Sequence, residues 1–144
     1  MAAATSSDLN SFLVGRPCQV VKRESDWTFN FGEGLNIGAS VPWRIVTAEG
    51  IGFGDIDDGQ WFGLPQPVDG EATVNALLKG HIVTDVEVDE LTADLHIHFG
   101  NGVRLDLFNP SSGYEAWAAK LSRAAAPSIS IIAMGGGGLT IFSD

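Results

Sequence analysis

The chain has 144 residues, 44% of them hydrophobic, and a formal net charge of −10 at pH 7. This length favours one domain, residues 1–144, with its own core, and the 18 glycines favour a turn-rich β protein over a helical bundle. Nucleic-acid binding is disfavoured because a phosphate backbone is met by clustered Lys and Arg, and no apolar run approaches the roughly 18 residues that a membrane span requires.

The N-terminal residues and the single cysteine indicate a cytoplasmic protein. The first residues, MAAATSSDLNSF, have neither the basic nor the apolar region of a secretory signal. Cys18 has no second cysteine to pair with, which suits a reducing compartment. Because it follows Pro17 in an apolar run, we expect a buried side chain rather than a nucleophile.

Two segments of the chain occur twice. The stretch LNSFLVG at 9–15 matches VNALLKG at 74–80, and WTFNFGEGLNI at 27–37 matches LHIHFGNGVRL at 95–105. Matched blocks in the same order, with glycines in the same places, indicate an internal duplication. Neither copy is large enough to bury its own apolar face, so the two should pack together.

The duplication divides the chain into three parts. The first repeat unit spans 9–49, a connecting loop rich in Gly, Asp and Pro spans 50–73, and the second unit spans 74–144. We expect an α+β fold, mainly antiparallel β. Two pseudo-symmetric β-hairpin units would pack into one domain with one or two short helices.

Each unit should contain a short helix, a strand and a β-hairpin, in that order. The strands are predicted at about 18–24 and 82–89, and the hairpin loops FGEGL and FGNGV end in a glycine that suits a positive φ angle. Beyond the second hairpin, SGYEAWAAKLSRAAA at 112–126 is predicted to form a short helix. The four glycines at 135–138 are predicted to connect two strands.

The second hairpin determines which side chains face water. Its three-residue loop places three apolar pairs on the core side: Phe99 with Val103, Ile97 with Leu105, and Leu95 with Leu107. The opposite face then pairs His98 with Arg104 and His96 with Asp106. We interpret this face as a polar, solvated sheet surface.

His96, His98 and Asp106 are residue types that bind zinc or non-haem iron. However, Arg104 stands opposite His98, and a guanidinium is a poor neighbour for a divalent cation. No cysteine lies near them in the sequence. The residues therefore predict no metal site and no cofactor.

Acidic residues are concentrated in the middle of the chain. Between Glu49 and Asp94 there are eleven acids and only one Lys or Arg, which is Lys79. Along the strand predicted there, three alternate residues would form an acidic stripe: Asp85, Glu87 and Asp89. Such a stripe suits a basic partner, and it equally suits a strand edge protected by charge.

Two aromatic motifs follow the two hairpins, PWRI at 42–45 and GYEAW at 113–117. They place four residues of interest at comparable points of the units: Trp43, Arg44, Tyr114 and Glu115. These residues could be packing anchors, with an ion pair between the arginine and the glutamate. The alternative is the rim of a ligand pocket between the copies.

The motif set LxG, FxFGxG, PWR and YEAW, followed by a glycine-rich turn, resembles a family of small bacterial proteins with no assigned function. The resemblance extends from Leu9 to Phe142. It implies a bacterial protein and transfers no catalytic residue.

Three functional hypotheses follow. The first is a non-enzymatic, acidic protein-binding module, such as an immunity-type inhibitor of a basic bacterial toxin. The second is a structural module that self-associates as a homodimer. The third is a small-ligand binder or enzyme that uses a cleft between the repeats. The first is preferred because such inhibitors are small, need no catalytic residues and meet a cationic site through complementary charge.

Overall fold

A computed structural model describes residues 2–3, 5–122 and 126–143. It confirms the α+β fold class, with mostly antiparallel strands. The helices are α1 (Ser6–Leu13) and α2 (Gly70–Leu78), and a short 3-10 helix spans Asp55–Asp57. The strands are β1 (Ala2–Ala3), β2 (Gln19–Lys22), β3 (Trp27–Asn30), β4 (Leu35–Ala39), β5 (Trp43–Thr47), β6 (Gly50–Gly54), β7 (Val83–Asp89), β8 (Asp94–Phe99), β9 (Arg104–Leu107), β10 (Trp117–Leu121), β11 (Ile129–Ala133) and β12 (Leu139–Ser143).

The strands form two sheets, and each copy contributes to both. A seven-stranded sheet has the order β1-β12-β11-β10-β4-β3-β2, and a five-stranded sheet has the order β6-β5-β9-β8-β7. The first copy therefore gives its hairpin to the larger sheet and β5 to the smaller one, where β5 pairs with β6 of the connecting segment. The second copy does the reverse, so the repeats are intertwined rather than side by side.

The strand registers reveal which residues are equivalent in the two copies. Strand β5 pairs with β9 so that Trp43 lies opposite Leu107, and β10 pairs with β4 so that Trp117 lies opposite Ala39. Trp43 is therefore the counterpart of Trp117. The sequence analysis aligned Trp43 with Tyr114, which lies three residues before the true counterpart.

Each helix protects the edge strand of the other copy. Helix α1 packs against β7 and helix α2 against β2. Asn75 accepts a hydrogen bond from the Val20 N–H at 2.7 Å and donates to the Val20 carbonyl at 2.9 Å. Ser6 makes the corresponding pair of bonds to the backbone of Val88. These side chains satisfy backbone groups that an open sheet edge would expose.

One hydrophobic core lies between the sheets. Trp43, from the smaller sheet, is 1% exposed within this core. Its ring contacts Trp27 and Phe29 of the larger sheet in edge-to-face geometry, with ring centroids 4.9 and 5.0 Å apart, and a tilted contact with Phe53 has a separation of 5.5 Å. Aromatic pairs in this geometry add to the stabilisation that burial alone provides.

The predicted helix at 112–126 is wrong. Within this segment the structure has strand β10, whose Trp117 and Ala119 are buried while Lys120 is exposed. The alanines have a high helix propensity, but β10 is hydrogen-bonded on both sides, by β4 and β11, and this pairing overrides local preference. Residues 123–125 of the prediction lie outside the described residues.

The connecting segment 50–73 is also more ordered than a loop. It contains strand β6, the 3-10 helix and the first turn of α2. The helix begins where Asp69 accepts a hydrogen bond from the backbone of Ala72. Among the described residues, no helix is both long and apolar enough to span a bilayer.

The two equivalent tryptophans differ in one hydrogen bond, which allows a matched test. The indole N–H of Trp117 donates to the Ala93 carbonyl at 2.9 Å, whereas that of Trp43 is buried with no partner among the described residues. We expect Trp117→Phe to lower the free energy of unfolding more than Trp43→Phe, by about 1–3 kcal/mol. The reason is that it removes the hydrogen bond to the buried carbonyl of Ala93. Urea unfolding of both variants measures the difference, and equal losses would contradict it.

Candidate functional sites

The outer face of the five-stranded sheet carries the histidines. The predicted register is confirmed, with His96 opposite Asp106 and His98 opposite Arg104. In the adjoining strand, Arg44 also lies opposite Asp106. Three neighbouring strands thus place two arginines, two histidines and a carboxylate on one surface.

Asp106 is the centre of this group and is 0% exposed. Arg104 donates to it through Nε at 2.7 Å and through Nη2 at 3.1 Å. Arg44 Nε donates to its Oδ2 at 3.0 Å, and His96 Nδ1 lies 2.5 Å from its Oδ1. The surface expected to be solvated therefore has a buried carboxylate beneath its basic side chains. We call these four residues the Asp106 cluster.

The contacts fix the ionisation of the cluster. Burial alone would raise the pKa of Asp106, but hydrogen bonds from Arg104, His96 and Arg44 favour the carboxylate and hold its pKa below the ordinary value. Arg104 responds in the opposite direction, since its hydrogen bond to Asp106 raises its pKa. Asp106 is consequently ionised at neutral pH.

His98 belongs to a separate pair. Its Nε2 lies 2.5 Å from a carboxylate oxygen of Glu87. Among the described residues, no group of three His, Cys, Asp or Glu side chains is placed to hold a metal ion. The ring nitrogen of His96 that faces away from Asp106 makes no hydrogen bond within the described part of the chain. No hydroxyl or thiol nucleophile is bonded to that nitrogen there.

The acidic stripe on β7 has local partners. Asp85 accepts a hydrogen bond from the Asn10 side chain at 2.7 Å, and Glu87 contacts His98. Asp89 accepts from the backbone N–H of Leu91. These contacts favour the structural interpretation of the stripe, a strand edge protected by charge.

The four residues of the aromatic motifs lie on two different sheets or next to them. Trp43 is buried in the core and Arg44 contacts Asp106 instead of Glu115. Tyr114, which is 81% exposed, and Glu115 precede β10 in the other sheet.

A cavity of about 350 Å³ lies beside the Asp106 cluster. It is formed by the start of β5, the edge strand β6, the 3-10 helix and the residue after β9. Its lining consists of Pro42, Trp43, Arg44, Ile51, Gly54, Asp55, Ile56, Asp57 and Phe108. We call it the Arg44 cavity. Arg44 is the one predicted site residue that both lines the Arg44 cavity and belongs to the Asp106 cluster.

Sequence reasoning missed an exposed apolar segment. Residues 59–68, the 59–68 loop, present three large apolar side chains to solvent: Trp61 is 57% exposed, Phe62 66% and Leu64 52%. The available signal was an aromatic run, QWFGLP, that lies between glycine and proline turns and lacks the alternation of a strand.

Cys18 is buried, as its position after Pro17 predicts. This burial raises the pKa of the thiol, so the reactive thiolate is not populated at neutral pH.

Comparison with models of known families, with curated proteins and with solved structures gives no match for this chain.

Proposed function

We propose that the protein is a non-enzymatic binding module whose 59–68 loop docks a basic protein partner. The observation that carries the proposal is the exposure of Trp61, Phe62 and Leu64 within four consecutive residues. Contiguous exposed apolar side chains are characteristic of interaction sites, and tryptophan is among the residues most enriched in binding hot spots.

The loop has a fixed shape without burying these side chains. The Gly59 N–H donates to the Val68 carbonyl, and the Val68 N–H donates to the Gln60 carbonyl, both at 2.8 Å. A turn at the tip is closed by a 2.7 Å bond from the Leu64 N–H to the Trp61 carbonyl. A preformed loop loses less conformational entropy on binding than a flexible one, which favours affinity.

The base of the loop is also fixed. Asp58 accepts a hydrogen bond from the Gly70 N–H at 2.8 Å and forms an ion pair with Lys22 at 3.0 Å. Burial alone would raise the pKa of Asp58, but these two contacts outweigh it and lower the pKa. The loop is thereby attached to the N-terminal end of α2 and to strand β2.

The charge around the loop indicates the kind of partner. Residues 55–71 contain five carboxylates and no Lys, Arg or His: Asp55, Asp57, Asp58, Asp69 and Glu71. An apolar contact with an acidic surround complements a basic surface and accelerates its encounter. An immunity-type inhibitor that covers a cationic toxin in the cytoplasm is one specific form of this function.

Affinity capture with loop variants tests the proposal. We expect the wild-type chain to retain a basic protein from a lysate of its host organism, with retention falling as salt is added. The double variant Trp61→Ser/Phe62→Ser should bind that protein at least about tenfold more weakly, because it lacks two anchor side chains. Its free energy of unfolding should change by no more than about 0.5 kcal/mol, because both side chains are exposed.

Tyr114→Ser is the matched control, because it removes an exposed aromatic side chain that precedes a strand of the larger sheet. It should bind like the wild type. Equal binding by the double variant, or retention of an acidic protein, would overturn the proposal. So would loop-dependent retention of a second copy of this chain alone, which would instead support self-association.

A further inference from the structure

We propose that the Arg44 cavity binds a small zwitterion with an apolar side chain, that is, a free apolar α-amino acid. The site does not include the 59–68 loop and does not depend on the proposed function, although Asp55 and Asp57 also belong to the acidic residues around that loop. Three features of the lining carry the inference: an oriented guanidinium, two carboxylates and an apolar wall.

The guanidinium of Arg44 is held so that its outer edge is available. Its Nε donates to Asp106 at 3.0 Å, and the group lies over the Phe108 ring, 5.2 Å from the centroid. Neither terminal nitrogen makes a hydrogen bond within the described residues. A planar guanidinium fixed in this way can bind a ligand carboxylate through two parallel hydrogen bonds.

The two carboxylates of the cavity are each fixed through one oxygen. Asp55 Oδ1 accepts from the Trp43 N–H at 3.3 Å, and Asp57 Oδ2 accepts from the Gly54 N–H at 2.8 Å. The second oxygen of each accepts no hydrogen bond among the described residues. Carboxylates in this arrangement suit an ammonium group, which has three donors and no acceptor.

The rest of the lining is apolar. Ile51 and Ile56 are exposed side chains, and Phe108 and Pro42 complete the wall. A cavity of about 350 Å³ is at the small end of the range for ligand sites, which suits a molecule with few heavy atoms. An apolar side chain placed against this wall would remove apolar surface from water.

The charge balance selects a zwitterion over a simple acid or amine. The charge of Arg44 is already shared with Asp106, and the cavity holds two carboxylates, so an anion without a cationic group would be repelled. A cation without an acidic group would leave the terminal nitrogens of Arg44 unpaired in the bound state. A ligand that carries both a carboxylate and an ammonium group can pair with Arg44 and with the two carboxylates of the cavity.

The test titrates unmodified, isotope-labelled protein with L-leucine, L-leucinamide and N-acetyl-L-leucine while NMR chemical shifts are recorded. We expect saturable shifts around Arg44, Ile56 and Asp57 with leucine. The amide lacks the carboxylate and the acetyl compound lacks the ammonium, so each should bind at least about tenfold more weakly. No saturable shift with leucine, or equal affinity for either analogue, would overturn the proposal.

A pair of conservative variants assigns binding to the cavity. Arg44→Lys keeps a positive charge near Asp106 but removes the paired donors, and should weaken leucine binding about tenfold or more. Arg104→Lys is the matched control, because Arg104 binds the same carboxylate without lining the cavity. It should leave leucine affinity unchanged. Equal weakening by both variants would show that the Asp106 cluster, and not the cavity, governs the shifts.

Discussion

Replacing Asp106 with Asn should lower the free energy of unfolding by about 1.5–3 kcal/mol, the range for hydrogen bonds to a charged group, because its basic partners are about one-third exposed and stay partly hydrated. The carboxylate is fully buried and is the shared acceptor of Arg44, Arg104 and His96. Its removal leaves basic side chains without the charge that holds them over the sheet. Urea unfolding measures the change.

Asp85→Asn is the control for this prediction, because it removes an exposed carboxylate from the same sheet. It should cost less than about 1 kcal/mol, as is usual for a surface charge. If Asp106→Asn were equally mild, the Asp106 cluster would be a solvated surface, as the sequence alone indicated.

The same carboxylate should make stability depend on pH in the acid range. The pKa of Asp106 is lower in the folded chain than in the unfolded one, so its contribution is present above the ordinary carboxyl pKa of about 3.9 and is lost as the pH falls through the folded value. The wild type should therefore lose more stability than Asp106→Asn on acidification. Parallel acid unfolding curves for the two proteins would contradict this.

Core substitutions in either copy should destabilise the whole molecule in one transition. Phe29 of the first copy and Ile97 of the second are both 0% exposed, at matching positions of the two hairpins. We expect Phe29→Ala to cost about 3–5 kcal/mol and Ile97→Ala about 2–5 kcal/mol. Because the copies share both sheets, fluorescence and circular dichroism should report one coincident unfolding curve for each variant.

Two separate transitions, with only one shifted by each substitution, would contradict the intertwined topology. A surface variant in each copy, Glu24→Ala and Glu90→Ala, provides the control for handling and concentration. Both side chains are exposed and each should change stability by about 0.5 kcal/mol or less.

The hairpins were predictable because their determinants are local. A three-residue loop that ends in glycine fixes the register of the hairpin, and Gly102 has the positive φ of +77° that such a loop needs. The sequence near Gly102 therefore predicts which face of the sheet carries His96 and His98. The repeat likewise predicted two similar units. These conclusions needed no knowledge of which strands pair at long range.

Long-range pairing is what the sequence could not supply. The sequence of strand β10 favours a helix by local propensity, and its pairing with β4 and β11 makes it a strand. Arg44 reaches Asp106 because β5 joins the hairpin of the other copy, and the sequence, which allowed an ion pair with Glu115, gave no sign of this partner. The exposure of Trp61 is equally non-local, since an aromatic run of this kind is more often buried.

Hydrogen–deuterium exchange is the most direct test of binding through the 59–68 loop. The backbone amides of the loop are compared in the chain alone and in complex with the basic protein that affinity capture identifies. We predict slower exchange at residues 60–66 in the complex, with the Asp85–Asp89 strand unchanged. Slower exchange along that strand, with the loop unaffected, would contradict the proposal. It would indicate instead that the partner docks on the acidic stripe.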